Sequence, residues 1–588
     1  MASLMQELTL KVSEAVAQVA GEITLKSAVL VPAQNAKFGD YQCNVSMELS
    51  KRLGAASGEK VNPRQVAEAI VAELDVASLC EVPTIAGPGF INFSLKSDVL
   101  TDYVVTQLKD ERLGIAKADD KKRVVVDFSG PNLAKEMHVG HLRSTIIGDS
   151  ISRFMEFEGH EVLRMNHVGD WGTQFGMLIQ FIRETKPEAL ANPETFEIAD
   201  LEDFYRASKE RFDASDEFKD AARRAVVDLQ SGDEATLAVW KVFCEESLKH
   251  CHEIYDVLDI DITDRGESAY NDQLQSTVDD LKEAGQAVET QGALGVFLDG
   301  YKNKDDEPLP IIVQKSDGGF IYATTDLAAI RYRFAEQKAD QVIYVTDSRQ
   351  QTNHFHPIFK IAESMNWAPK NALRHIGFGM MLGKDGKPFK TRTGGTVKLK
   401  DLLVEAKSRA LELAKDLTPD LTEEDYARIA HCAGLGGVKY SDLSHSVGTD
   451  YKFDWAKMLA TDGNSAIYVL MTYARTRGLA RKAGVDIDLL AETVAPANLE
   501  EQELKLLKKI SATPDVWANV VRELAPNLLL AHLYELARDF GAFWNACPIM
   551  KDDIDEETRQ ARLALAGGVG KVLKWGLSMV GIQSLDKL

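Results

Sequence analysis

Two histidines lie three residues apart in the stretch PNLAKEMHVGHLRST, Pro131 to Thr145, with Gly140 between them and Lys135 just upstream. The stretch follows RVVVDFSG, a β-branched run of strand length, and GPN breaks that strand before a helix begins. A helix start offers unpaired N–H groups and the positive end of its dipole to an anion. Two imidazoles on that turn, His138 and His141, can donate hydrogen bonds to a triphosphate as charge builds on it. Gly140, with no side chain, lets a flat ring such as adenine approach the backbone. Lys135 adds a positive charge from the loop. This chemistry fits nucleotidyl transfer, in which a nucleophile attacks an α-phosphate and pyrophosphate leaves. On this feature alone a metal site or a pair of surface histidines stays open. The HExxH zinc motif and the GxxxxGK[ST] phosphate loop are absent, and GKDGKP only imitates the latter, with Asp385 where a hydroxyl is required.

A second basic feature lies far downstream. MMLGKDGKPFKTRTGGT, residues 380–396, is a glycine- and lysine-rich loop right after a strand. Lys384, Lys387, Lys390 and Arg392 can close over phosphates with the glycines as hinges, and Met381 and Leu382 join Gly140 as candidate ATP contacts. A basic surface hairpin is the alternative.

The elements that must hold these groups read as an α/β fold. After GPN, Leu142, Ile146, Ile147, Ile151 and Phe154 fall on one helical face, and Gly159 suits the position just past the helix end. EVLRMNHV reads as the next strand. Strand–loop–helix–strand opens a doubly wound, Rossmann-type parallel sheet, whose ligands sit beyond the carboxyl ends of the strands. This catalytic domain is expected over 120–400, interrupted at about 184–300 by a mostly helical, acidic insertion. The alternation then resumes with PIIVQK, a helix at TTDLAAIRYRF, the strand QVIYVT, a helix near 353–366 and the strand HIGFGM. Residues 1–110 read as an N-terminal α+β domain with a strand in GPGFINFSL, and KADDKK (117–122) as a charged linker. Residues 401–460 form a helical connector, and 461–588 an all-α bundle.

The totals narrow the class. A chain of 588 residues has room for about three or four domains. No apolar run approaches the ~18 residues that would span a membrane. The first residues, MASLMQELTLKVSEAVAQVAGEITLKS, are amphipathic and contain Glu7 and Glu14, unlike a signal or transit peptide. Six cysteines form no CxxC pair and read as reduced, buried thiols, which places the protein in the cytoplasm. A net charge of −22 argues at first sight against nucleic acid. Residues 184–300, however, hold 29 acidic and 11 basic residues, whereas 461–588 hold 17 and 15, so the surplus is local and RNA can bind elsewhere. Phe38, Tyr41 and Gln42 offer aromatic faces and an amide to unstacked bases, with core packing the alternative for the two rings. YARTRGLARK places Tyr473, Arg475, Arg477, Arg481 and Lys482 around one helix, where some can hold phosphates. Cys251–His252 and His354–His356 lack a metal-ligand set and read as structural.

HVGH after a first sheet strand, with a basic loop late in the fold, resembles the HIGH and KMSKS signatures of class I aminoacyl-tRNA synthetases. SGPNLAKEMHVGHLRSTIIGD, NHVGDWGTQFG, YATTDLAAIRYR, DSRQ and GKPFKTRTGGTV are similar to arginyl-tRNA synthetases, and the likeness runs nearly end to end. The resemblance implies an arginine–tRNA ligase using ATP with Mg2+, L-arginine and tRNA(Arg), monomeric, with tRNA bound before arginine is activated and no separate editing domain. It implies that His138, His141 and Lys135 serve the phosphates. Tyr322 and Asp326 would hold the guanidinium, and Asp127 and Asn132 the backbone end of the amino acid, with Gln350 facing it. Gly169, Asp170 and Trp171 would lie beside the cleft. The N-terminal domain, with Phe38, Tyr41 and Gln42, would meet the outer corner of the tRNA. The C-terminal bundle, with Tyr473 and Arg475, would meet the anticodon stem. Two departures from the pattern stand out. FKTRTGG lacks the usual lysine–serine ending of the second signature, which assigns that charge to Lys135, and the chain ends in Leu588 rather than methionine. A tRNA-binding protein without turnover and a class I synthetase for another amino acid are the competing readings.

Overall fold

The carboxyl ends of five parallel strands define the centre of the larger of two units. The computed structural model describes residues 2–21, 23, 25, 29–33, 35–191, 201–389, 397–495 and 499–587. The chain divides into a unit of Lys117–Ala460 with Ser578–Gln583, and a second of Met1–Ala116 with Thr461–Leu577 and Ser584–Leu588.

In the first unit we number the elements around the site β1 (Arg123–Asp127), α1 (Val139–Phe157), β2 (Glu161–Val168), α2 (Glu234–Val257), β3 (Thr263–Gly266), α3 (Tyr322–Ala335), β4 (Gln341–Asp347), α4 (Ser348–Ser364) and β5 (Leu373–Phe378). The strand order is β5-β4-β1-β2-β3, with β1 at the centre and every pairing parallel. β1 lies between two strands and under helices, so Val124, Val125 and Val126 are fully buried, as a β-branched run on both faces requires. The expected face of α1 is its buried face: Leu142, Ile146, Ile147, Ile151 and Phe154. Gly148 lets that face seat on the strand, because a Cβ there would collide with the Phe128 ring. Buried charges fix α1 further. Arg143 pairs with Asp442 at 3.1 Å, and Asp149 receives Arg153 at 2.8 Å and Arg164 at 2.6 Å.

One expectation is corrected here. The segment 184–300, expected as mostly helical, is helical through 188–191, 201–214, 216–230, α2 and 271–283, and it contributes β3 to the central sheet. TDRG is a four-residue edge strand paired on one side only, and it carries no apolar pattern. Ile311–Gln314, expected as a strand of the same sheet, instead pairs antiparallel in a separate three-stranded sheet with Ala287–Thr290 and Ala293–Val296. Among the described residues no helix is long and apolar enough to cross a membrane.

The second unit joins the two ends of the chain, which the sequence reads as separate domains. A four-stranded antiparallel sheet (Val31–Pro32, Tyr41–Cys43, Phe90–Phe93 and Thr84–Ala86) and its helices pack with the C-terminal helices. Gln107 Nε2 donates to the Ile510 carbonyl at 3.0 Å, Lys571 Nζ to the Leu108 carbonyl at 2.9 Å, and Lys508 pairs with Asp40 at 2.6 Å. Contacts over some 400 residues of sequence leave no local pattern to read.

Candidate active site

The loop from Phe128 to Met137 and the first turn of α1 stand at the carboxyl end of β1. Ser129 (φ 71°), Gly130 (φ 57°) and Ala134 (φ 70°) turn the chain sharply, and neighbouring groups tie each bend down. The Gly130 N–H donates to Asn166 Oδ1 at 2.9 Å, Leu133 N–H to the Gly169 carbonyl at 3.0 Å, and Ala134 N–H to Ser247 Oγ of α2 at 3.0 Å. Lys135, exposed at the edge of this loop, lies 5.7 Å from the Tyr205 ring centroid.

The histidines cap α1. The Gly140 N–H donates to Nδ1 of His138 at 3.0 Å, and the His138 N–H to Nδ1 of His141 at 3.1 Å. With both Nδ1 atoms accepting, each neutral ring carries its proton on Nε2. The rings are 4.0 Å apart, centroid to centroid. Burial and the Lys135 charge lower the pKa of His138, and burial with His138 beside it pushes His141 down to about 3. At neutral pH the turn therefore presents two uncharged Nε2–H donors. Gly140 serves this arrangement directly: a Cβ would lie 2.7 Å from Cε1 of the folded-back His138 ring. The basic loop is fastened to the same turn at its far end, since Val139 N–H donates to the Val397 carbonyl at 3.1 Å and Leu399 N–H to the Met137 carbonyl at 2.9 Å. At its near end Met381 and Leu382 pair with Tyr451 and Lys452, and Lys387 stands exposed beyond a tight turn closed from Gly383 N–H to the Lys387 carbonyl at 2.8 Å. Lys390 and Arg392 lie outside the described residues.

Tyr322 and Asp326 lie one turn apart at the start of α3; Tyr322 is 69% exposed, while the Asp326 side chain is only 17% exposed. Sequence reasoning missed the third member of this group, Glu267, on the short 3-10 turn after β3. Burial, then the charges of Asp326 and Asp170, push its carboxyl up to about 7. Burial and the Glu267 charge likewise raise the Tyr322 hydroxyl. Glu267 thus feels the charge of Asp326, and Tyr322 that of Glu267, so the three lie close enough for their charges to interact. Asp170 holds the turn in place, accepting from the Ser268 N–H at 2.8 Å and pairing with its hydroxyl at 2.5 Å. Trp171 packs edge-on against Trp240, centroids 5.4 Å apart. Asn132 is exposed beside Gly169, and Gln350 lies on α4.

Other expected site residues meet internal partners. Asp127 Oδ2 is 2.5 Å from Nη2 of the buried Arg333, a pair that ties α3 to β1. Tyr41, 8% exposed, and Tyr473, 2% exposed with its hydroxyl on Asp586 at 2.9 Å, present no open ring face to a base. Strand and helix registers that turn these rings inward depend on partners distant in sequence. Gln42 donates to Asn92 at 2.8 Å, Phe38 is half-buried under the Lys37 ammonium, and Arg475 is exposed. Near Arg475, Tyr468 and Tyr534 meet edge-on at 5.9 Å, and Tyr468 feels the charges of Arg475 and Arg538.

A parallel sheet with an imidazole-capped helix start after its central strand defines a class I aminoacyl-tRNA synthetase catalytic domain. Residues 103–455 match the class I (R) tRNA synthetase catalytic domain, 469–588 the DALR anticodon-binding domain and 6–95 the arginyl-tRNA synthetase N-terminal domain. The chain is 49% identical to the arginine–tRNA ligase of Synechococcus elongatus over 95% of both chains, and 49% identical to that of a Picosynechococcus species over the whole of both. The solved Plasmodium falciparum arginyl-tRNA synthetase superposes with a TM-score of 0.87 at 30% identity over the full length of each. The Thermus thermophilus enzyme shares the fold with a TM-score of 0.80 at 20% identity, covering 99% of this chain and all of that one. The chain belongs to the arginyl-tRNA synthetase family.

Proposed function

We propose that the chain activates L-arginine with ATP and charges tRNA(Arg) with it, both steps at this one site. A carboxylate oxygen of arginine attacks the α-phosphate, the new O–P bond forms as the bond to the bridging oxygen breaks, and pyrophosphate leaves with that oxygen's electrons. The terminal ribose hydroxyl of tRNA then attacks the arginyl carbonyl, and AMP departs. Positioning and charge stabilisation supply most of the rate. His138 and His141 donate through Nε2 to phosphate oxygens. Lys135 supplies the positive charge that FKTRTGG does not fully provide, and Lys387, Lys390 and Arg392 close over the leaving phosphates. Met381, Leu382 and Gly140 line the nucleotide.

Asp326, Tyr322 and Glu267 receive the guanidinium, whose planar fork of donors carboxylates satisfy in pairs. Asn132 and Gln350 hold the backbone end of arginine. The observations that carry the reading are the charge coupling of Glu267 with Asp326 and Tyr322, and the imidazole-capped helix start after the central strand. Lysine or ornithine would leave those carboxylates underpaired, which makes a separate editing site unnecessary.

ATP arrives with Mg2+ on its phosphates. Mg2+ usually keeps several waters and is bound largely through substrate phosphates. Phe38 and Gln42 serve the outer corner of the tRNA. Arg475, Arg538, Tyr468 and the 41% exposed Trp544 serve the anticodon arm. A monomeric, cytoplasmic enzyme is the working reading, and its six buried free thiols fit a reducing compartment.

Amino-acid-dependent ATP–pyrophosphate exchange, with and without tRNA(Arg), tests the proposal. Arginine alone among the amino acids should drive it. Exchange with none while tRNA still binds would make this a binding protein, and exchange driven by another amino acid would overturn the pocket assignment.

A further inference from the structure

His354 reads from sequence as a structural residue, yet its position in the fold gives it a partner at the substrate pocket. It lies in the first half of α4, and its Nε2 is 2.5 Å from Oδ2 of Asp326 on α3. The pair is not a solvated surface contact: 26% of the His354 side chain and 17% of the Asp326 side chain are exposed. The next residue, Phe355, anchors this stretch of helix in the core, 4.7 Å from Tyr344, 5.7 Å from Phe359 and 5.5 Å from His375, centroid to centroid. The His354 ring packs edge-on against Phe355 at 5.2 Å. The imidazole is thus held by a rigid element, and it meets one oxygen of the carboxylate and not the other.

We propose that His354 is a positioning residue for arginine recognition: it fixes the plane of the Asp326 carboxylate so that Oδ1 faces the guanidinium. This rests on the assignment of Asp326 to the guanidinium site. A carboxylate held at one end by an N–H donor loses its freedom to rotate about its terminal torsion, which is otherwise broad. That matters for this substrate, because guanidinium donors lie in a fixed planar fork and reward a preset acceptor geometry. Imidazole suits the task since its neutral form donates a hydrogen bond without cancelling the charge that attracts the guanidinium. A lysine or arginine at 354 would bring a permanent positive charge and compete with the substrate.

The test is steady-state ATP–pyrophosphate exchange with saturating tRNA(Arg), comparing H354L, H354Q and D326N with the parent. H354L keeps bulk but loses the donor; arginine KM should rise about tenfold or more, with ATP KM unchanged within about twofold. H354Q places an amide donor where Nε2 stood and should recover arginine KM to within about threefold of the parent. In a D326N background H354L should add almost nothing, since the residue acts only through Asp326. A parent-like arginine KM in H354L, a lowered one, or full additivity with D326N overturns the proposal. If H354L does not fold, H354N carries the test: its shorter amide reaches only the Nδ1 position, so a parent-like arginine KM there is equally fatal. D326N separates the two ideas. An unchanged arginine KM in D326N would remove Asp326 from the guanidinium site, whereas a raised one beside a parent-like H354L would sink the positioning role alone.

Discussion

Burial and the charges of Asp326 and Asp170 push the Glu267 carboxyl up to about 7, so near neutral pH a proton competes for the place proposed for the substrate cation. A guanidinium pairs with the ionised form. The direction follows: as pH falls below 7 the empty pocket takes up a proton that must leave before arginine can pair, so arginine binding weakens. A carboxyl titrating at about 7 is ionised in about one molecule in eleven at pH 6 and in about ten in eleven at pH 8. Apparent arginine affinity therefore falls about tenfold between pH 8 and pH 6, the binding-competent fraction setting the penalty. Of the capping histidines, His141 is pushed down to about 3 and stays neutral across this window, and His138 is lowered as well. Glu267→Gln removes both the charge and the titration. It should raise arginine KM at pH 8 by about 30-fold or more, the loss of about 2 kcal/mol or above that follows truncating one partner of a buried charge pair. It should also flatten the pH dependence. The assay is arginine KM in ATP–pyrophosphate exchange at pH 6, 7 and 8 with saturating ATP and tRNA, with ATP KM as the control. A flat parental profile over that range, or an E267Q variant that keeps the parental slope, would refute the reasoning.

Lys135→Ala should slow single-turnover adenylate formation by about 10²-fold or more while arginine KM stays within about twofold, since it removes the charge proposed to meet the phosphates; a parental rate would remove Lys135 from that role. His141→Asn keeps an acceptor for the His138 N–H but withdraws the Nε2 donor, so kcat should fall about 10²–10³-fold with little change in Tm, checked by exchange kinetics beside a thermal melt. Asp442→Ala strands the Arg143 guanidinium, whose side chain is 2% exposed, without its partner. It should destabilise the catalytic unit by about 3–5 kcal/mol in urea unfolding, and a loss under about 1 kcal/mol would show that the pair does not hold α1.

Local sequence determined the parts of this protein that local physics governs. The β-branched run reads as a buried strand and the five apolar residues at helical spacing as a core-facing stripe, and both are so in the structure, with HVGH at their junction as the helix start. The strings around it were specific enough to name the family and to propose Tyr322 and Asp326, which the structure sets one turn apart on one helix. Tertiary structure decided everything that depends on partners brought from afar. TDRG became a sheet strand because β2 offered an edge to pair with. PIIVQK left the central sheet for a hairpin neighbour. Asp127 was claimed by Arg333, 206 residues away, and the rings of Tyr41 and Tyr473 were turned inward. Glu267 and His354 carry no motif of their own. Each meets Asp326 only when the chain folds, because charge coupling and hydrogen bonding depend on distance in space, and the chain order does not record that distance.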